Sequence, residues 1–185
     1  MKAEMKVPGR VAVLVIDVQR ALFMANPPPF EAEAVLAALQ VTLARARAAG
    51  AWVVYLQHDG SEEDGVAPFT PGWELHPALE VTPEDCVIRK TVCDAFFGTT
   101  LEQDLRRNRI ETLVLTGYAT DFCVDATLQN AVSRGFQVIV VADGHTTHDN
   151  PHLSAREVRQ QYNWAWTNST APKPIAVIRS ENLRF

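Results

Sequence analysis

Six short runs of apolar, β-rich residues constrain this chain more than any other feature. They are "VAVLVI" (11–16), "AWVVYL" (51–56), "CVIR" (86–89), "TLVLT" (112–116), "QVIVVA" (137–142) and "PIAVIR" (174–179). Each is nearly continuous in hydrophobicity, without the alternation of a half-solvated strand, and so predicts a strand covered on both faces, as in a parallel sheet. The stretches between them read as helices. "EAEAVLAALQVTLARARAAG" carries acids in its first turn, arginines in its last and Gly50 past its end, which suits the helix dipole and supplies a C-cap. "TTLEQDLRRN" pairs Thr99 with Glu102 in a capping-box pattern, "CVDATLQNAVSRG" stops at Gly135, and a further helix is expected over about 153–166 with Ser154 and Glu157 as its box. Strand–helix alternation of this kind predicts an open, doubly wound, Rossmann-like α/β fold: three α/β/α layers in one domain over 1–185. The polar segment 57–85, rich in Gly and Pro, reads as one long excursion of the kind that forms lids and binding loops.

A chain of 185 residues buries roughly 70% of its unfolded surface, so a real core is available. Its net charge of −5 offers no basic footprint for nucleic acid and makes a membrane surface an unsuitable partner. No apolar run approaches ~20 residues and "MKAEMKVPGR" lacks the apolar stretch of a secretory signal, so a cytoplasmic protein is expected. Cys86, Cys93 and Cys123 are odd in number and fit neither a disulfide framework nor a CxxC pattern; free thiols are expected.

In an open parallel sheet, ligands bind beyond the carboxyl ends of the strands. Asp17 follows the first run, Lys90 the third, and "GYATDFC" the fourth, which sends a carboxylate, an ammonium and a thiol to one edge. Cys123 falls at the start of a helix, where free backbone N–H groups and the dipole favour a thiolate and lower the thiol pKa. The same N–H groups can receive the oxygen of a tetrahedral intermediate. Attack on a carbonyl requires a proton shuttle, for which Asp17 is the candidate; Lys90 balances the charge, and Gln19 is placed to orient Asp17.

With "VLVIDVQ" around Asp17, "VIRKTVCDAFFGTTLEQDL" around Lys90 and "LVLTGYATDFCVDATLQNAVSRGFQVIVVADG" around Cys123, the chain resembles the isochorismatase-like cysteine hydrolases, which include nicotinamidases and carbamoylsarcosine amidohydrolases. The resemblance implies a six-stranded parallel sheet of order 3-2-1-4-5-6, a catalytic set of Asp17, Lys90 and Cys123, a non-proline cis bond at Tyr118–Ala119, an oxyanion hole from the N–H groups of Ala119 and Cys123, and a homo-oligomer. It implies a small amide as substrate, cleaved at a C–N bond through a thioester on Cys123. Isochorismatase-type vinyl-ether hydrolysis is the alternative. A nucleotide- or flavin-binding module would need a GxGxxG or GxxxxGK[ST] after the first strand, and none is there.

Metal-binding relatives carry Asp-x-His and then a further histidine after the second strand. Here "YLQHDG" has Leu56 in the aspartate's place and no histidine follows until His76, so no metal and no other cofactor is expected. The histidines of "HTTHDNPH" are also read as non-metal, since the segment contains Pro151 and enters a helix, so they would not share a face. Phe23, His58, Trp73, Tyr118 and Phe122 are candidates to line the substrate pocket. Trp164 and Trp166, two apart near a helix end, are expected to serve packing or a subunit interface.

Overall fold

The computed structural model describes residues 4–185. Six strands, β1 (Val11–Ile16), β2 (Trp52–His58), β3 (Cys86–Lys90), β4 (Thr112–Tyr118), β5 (Gln137–Thr146) and β6 (Ala176–Ile178), form one sheet in the order β3-β2-β1-β4-β5-β6. Every neighbouring pair is parallel. Met5–Lys6 and Leu183–Arg184 make a separate two-stranded ribbon.

Period-2 alternation divides the core between the two faces. Ala12, Leu14 and Ile16 of β1 join Leu56, Leu113 and Leu115 under Leu101 and Leu105 of α2 (Leu101–Arg107), Leu128 of α3 (Asp125–Ser133) and Trp166 of α4 (Ala155–Asn168). Val13 and Val15, with Tyr55, Val114 and Ile139, pack on the other face against Val35, Leu39 and Leu43 of α1 (Ala32–Ala48). Both faces of β1 are therefore dry, which is why its sequence is apolar throughout. Each buried Leu, Ile or Val contributes about 1.5–3 kcal/mol relative to exposure.

The edge strand departs from that pattern. In β3, Val87 and Arg89 are exposed while Ile88 and Lys90 are buried, because only one face is covered at the sheet's border. The capping box expected at α4 is present, with Ser154 and Glu157 bonding each other's backbone. The one expected at α2 is not. Thr99 Oγ1 does accept from the Leu101 amide, but the helix takes Thr100 as its N-cap, without a side-chain cap bond, and Glu102 instead meets the guanidinium groups of Arg106 and Arg134. Among the described residues no helix is long and apolar enough to cross a membrane.

The 57–85 excursion lies docked on the start of the chain. The amides of Arg20 and Ala21 donate to the carbonyls of Glu74 and Gly72, and the His76 amide donates to Val18 O. These bonds anchor the polar segment beside the single helical turn Arg20–Phe23 that follows β1.

Gly117 sits where β4 presses on β1, at φ +117°, and a Cβ placed there would meet Ile16 O at 2.0 Å. Both the backbone conformation and the contact exclude a side chain. Gly117→Ala should therefore lower the stability by on the order of 2 kcal/mol or more, and with it the urea midpoint of unfolding; equilibrium denaturation followed by tryptophan fluorescence checks it.

Candidate functional site

The carboxyl edge of the sheet collects the ionisable groups that the sequence singles out. Asp17 leaves β1 at φ +50° with its amide bonded to Leu56 O, which turns its side chain off the strand path. Lys90 ends β3 in register with His58, the last residue of β2. Their side chains meet as a buried ion pair, Lys90 Nζ to Asp17 Oδ2 at 2.7 Å, with side-chain exposures of 0% and 2%.

The ammonium has three hydrogens and finds three acceptors: Asp17 Oδ2, the Val92 carbonyl at 3.1 Å and Cys123 Sγ at 3.3 Å. Asp17 Oδ1 is buried and has no partner. Cys123 lies in a single π-helical turn, Thr120–Val124, two residues ahead of α3, rather than in an α-helical first turn. The Tyr118–Ala119 bond that leads into this turn is cis, and the Ala119 carbonyl accepts from the amides of Phe122 and Val124.

The electrostatics differ from the sequence expectation in one respect. Burial, and then the Asp17 charge, push the Cys123 thiol above its ordinary range, and Lys90 offsets only part of this. The balance at Cys123 therefore favours the thiol over the thiolate. Burial likewise raises the Asp17 carboxyl despite the pull of Lys90 and Cys123. Burial opposes the Lys90 ammonium, but Asp17 and Cys123 outweigh it and hold it above its usual value. Two raised acids thus compete for one proton next to a fixed cation.

The expected pocket residues separate into distinct roles. His58 is half-buried beside the pair, and burial and then Lys90 lower its pKa, so the ring is neutral near pH 7; its Nδ1 is buried without a partner. Gln19 does not orient Asp17. Its amide donates to the carbonyls of His58 and Trp73 and accepts from the His58 amide, binding the end of β2 to the excursion. Trp73 gives Nε1 to Asp59, and its ring lies 5.4 Å from that of Phe69, with the Arg89 guanidinium about 5 Å from both. Phe23 is buried against Tyr118 and His76. Phe122, on the same turn as Cys123, is 61% exposed.

Other residues singled out by the sequence lie outside the ion pair. None of the three "HTTHDNPH" histidines is helical: His145 is within β5, and His148 and His152 are in the loop before α4. The loop forms because Asn150 and Asp149 cap it, accepting from the amides of His152, Leu153 and Ala155. Trp166 is buried in the core, whereas Trp164 is exposed. Cys86 is partly buried in β3 and Cys93 is exposed after it. Among the described residues no three His, Cys, Asp or Glu converge as a metal-binding group. The Val92 carbonyl, third partner of Lys90, has no sequence signal at all, since any residue supplies one. A cleft of about 980 Å³ lies at the opposite end of the sheet, lined by Val11, Trp52 and Ile110; the chemistry gathers at the other edge.

A family model described as the isochorismatase domain matches residues 11–170. The chain belongs to the isochorismatase family. A streptothricin hydrolase of Streptomyces noursei is 42% identical over 140 residues, which cover 76% of this chain and 56% of that protein. A ureidoacrylate amidohydrolase of Variovorax paradoxus is 29% identical over 174 residues, 75% of this chain and 68% of that one. The chain spans just over half the length of the streptothricin hydrolases it matches. Among solved structures, an isochorismatase-family protein from Chromobacterium violaceum superposes with a TM-score of 0.85 at 29% identity, covering 98% of this chain and 96% of that one. An N-carbamoylsarcosine amidase from Thermoplasma acidophilum shares the fold, with a TM-score of 0.77 at 24% identity over 94% of this chain and 98% of that chain.

The sign of each coupling in this family member can be measured. Asp17→Asn removes an anion that raises the thiol, so the pH midpoint of Cys123 alkylation should fall. Lys90→Met removes the cation that lowers it, so the midpoint should rise. Iodoacetamide rates across pH, read by peptide mapping at Cys123, give both values.

Proposed function

We propose that this chain is a hydrolase that cleaves a C–N bond of a small amide through a thioester on Cys123, without a metal. The observation that carries the reading is the single ammonium of Lys90 in contact with both Asp17 and Cys123, beside an unpaired, buried Asp17 oxygen. In this reading Asp17 is the proton shuttle, Lys90 the fixed charge and Cys123 the nucleophile.

As Cys123 Sγ bonds to the substrate carbonyl carbon, the thiol proton passes to Asp17. The ammonium then sits between a neutral acid and the reacting sulfur, so one positive charge serves both the resting carboxylate and the departing thiol proton's partner. The N–H groups of Ala119 and Cys123 receive the carbonyl oxygen as it becomes anionic; one such donor is worth about 10²–10³ in rate. When the tetrahedral adduct collapses, the C–N bond breaks and Asp17 returns its proton to the leaving nitrogen. Water then attacks the thioester, giving one proton to Asp17; the C–S bond breaks and the thiolate regains that proton. The raised carboxyl of Asp17 suits a group that must hold a proton between steps.

In this reading the His58 ring, whose Nδ1 is unpaired, hydrogen-bonds a polar group of the substrate at this edge. Asp59, its neighbour, is already engaged by Arg89 and Trp73, which leaves that pair unsuited to share a cation. The names of the amidohydrolase and hydrolase relatives agree with amide cleavage.

Intact-mass analysis across a panel of small amides should trap an acyl adduct on Cys123; an adduct on Cys86 or Cys93 instead would overturn the assignment. With an amide so identified, Asp17→Asn should slow turnover by about 10²-fold or more. Prolonged chelation should leave the native rate unchanged, and a metal-dependent rate would remove the metal-free part of the reading.

A further inference from the structure

The segment "HTTH", residues 145–148, makes a row of side-chain contacts to the residues around Cys123 that the mechanism leaves unused. His148 Nδ1 lies 2.9 Å from Tyr118 Oη, His145 Nδ1 lies 2.9 Å from Thr120 Oγ1, and Thr147 Oγ1 donates to Asp121 Oδ1 at 2.7 Å. Tyr118, Thr120 and Asp121 surround Ala119 and lead directly to the nucleophile. The contacts arise because β4 and β5, after a register shift between Leu115 and Gly117, pair again here with Gly117 opposite His145 and Tyr118 opposite Thr146.

The middle contact has a defined proton order. Asn163 Nδ2 donates to Ala142 O, so its Oδ1 faces His145 and accepts from Nε2–H at 2.9 Å. A neutral imidazole carries one proton, so Nδ1 must accept from the Thr120 hydroxyl. Burial, acting with Arg159 and against Asn163 and Asp143, lowers the His145 pKa to about 4 and keeps the ring neutral. Its face is closed by Trp166, 5.2 Å away, whose Nε1 bonds Asp125, the first residue of α3. His145 and Thr120 are both fully buried, so the hydroxyl and the ring nitrogen have no water to turn to and the bond admits one geometry.

The geometry points to His145, Thr147 and His148 as positioning residues that clamp the Cys123 turn against Lys90. This rests on Cys123 being the nucleophile. Sγ has a 3.3 Å contact with Nζ at a partly buried site, so a turn free to shift would expose the thiol further and lose the alignment on which acyl transfer depends.

Thr120→Val keeps the shape and removes the hydroxyl; Thr120→Ser keeps the hydroxyl; Tyr118→Phe removes the outer contact at a half-buried site while keeping the ring. Iodoacetamide is the probe, with Cys123 read by peptide mapping across pH and the thermal midpoint recorded alongside. In Thr120→Val and Tyr118→Phe the alkylation midpoint should fall towards that of an ordinary thiol, with labelling near pH 8 at least about threefold faster, and Thr120→Ser should behave as native. With an amide that acylates native Cys123, kcat should fall more than about tenfold while KM holds within about twofold. Unchanged alkylation profiles in both variants, even with a lower thermal midpoint, would reduce the segment to a structural role and overturn the clamp. Failure to acylate native Cys123 would instead overturn the nucleophile, and the alkylation profiles would still decide the clamp.

Discussion

The buried contact between Lys90 and Asp17 is the constraint around which this edge of the molecule is organised. Two full charges at 2.7 Å, out of water, are stable only as a pair; removing one partner from such a pair costs about 3–5 kcal/mol, because the other is left uncompensated. The pair joins the ends of β1 and β3 across the end of β2. The sheet order that puts β2 between them therefore fixes the spacing at which two charges can meet. Asp17 bends into a left-handed conformation to reach its partner, and its amide is held by Leu56 of the intervening strand.

Burial, together with that pair, sets the tendency of Cys123 to hold its proton. A thiol at a helix start beside a lysine suggests a thiolate when only local rules are applied. In the folded protein burial, and then Asp17 on the same ammonium, raise the thiol by more than Lys90 lowers it. The outcome is two acids, Asp17 and Cys123, both raised by burial and both in reach of one ammonium.

The surroundings of the pair are rigid for identifiable reasons. Gln19 spends its whole amide on the backbone of β2 and the excursion, so the segment carrying Trp73 and Phe69 is fastened to the first strand's exit. On the other side, β5 supplies the polar contacts to the Cys123 turn. Both fastenings use side chains that look unremarkable in sequence: a glutamine two residues past an aspartate, and a histidine-rich stretch that invites a metal assignment.

The sequence by itself determined the layers and the edge. Six apolar runs with helical segments between them leave few alternatives to a covered parallel sheet, and the order of Asp17, Lys90 and Cys123 after the first, third and fourth strands sends all three to the carboxyl side. Such features are legible because they depend on periodicity and chain order. What depended on which atoms meet was not legible. Whether Glu102 caps its helix or binds Arg134, whether Gln19 orients a carboxylate or a backbone, and whether His145 binds a metal or Thr120 are contests between partners far apart in the chain. Only the tertiary structure decides them: the buried Gln19 and His145 take the polar partners that the fold brings within about 3 Å, and the half-exposed Glu102 meets an arginine 32 residues away, so each outcome is set by packing rather than by any local pattern.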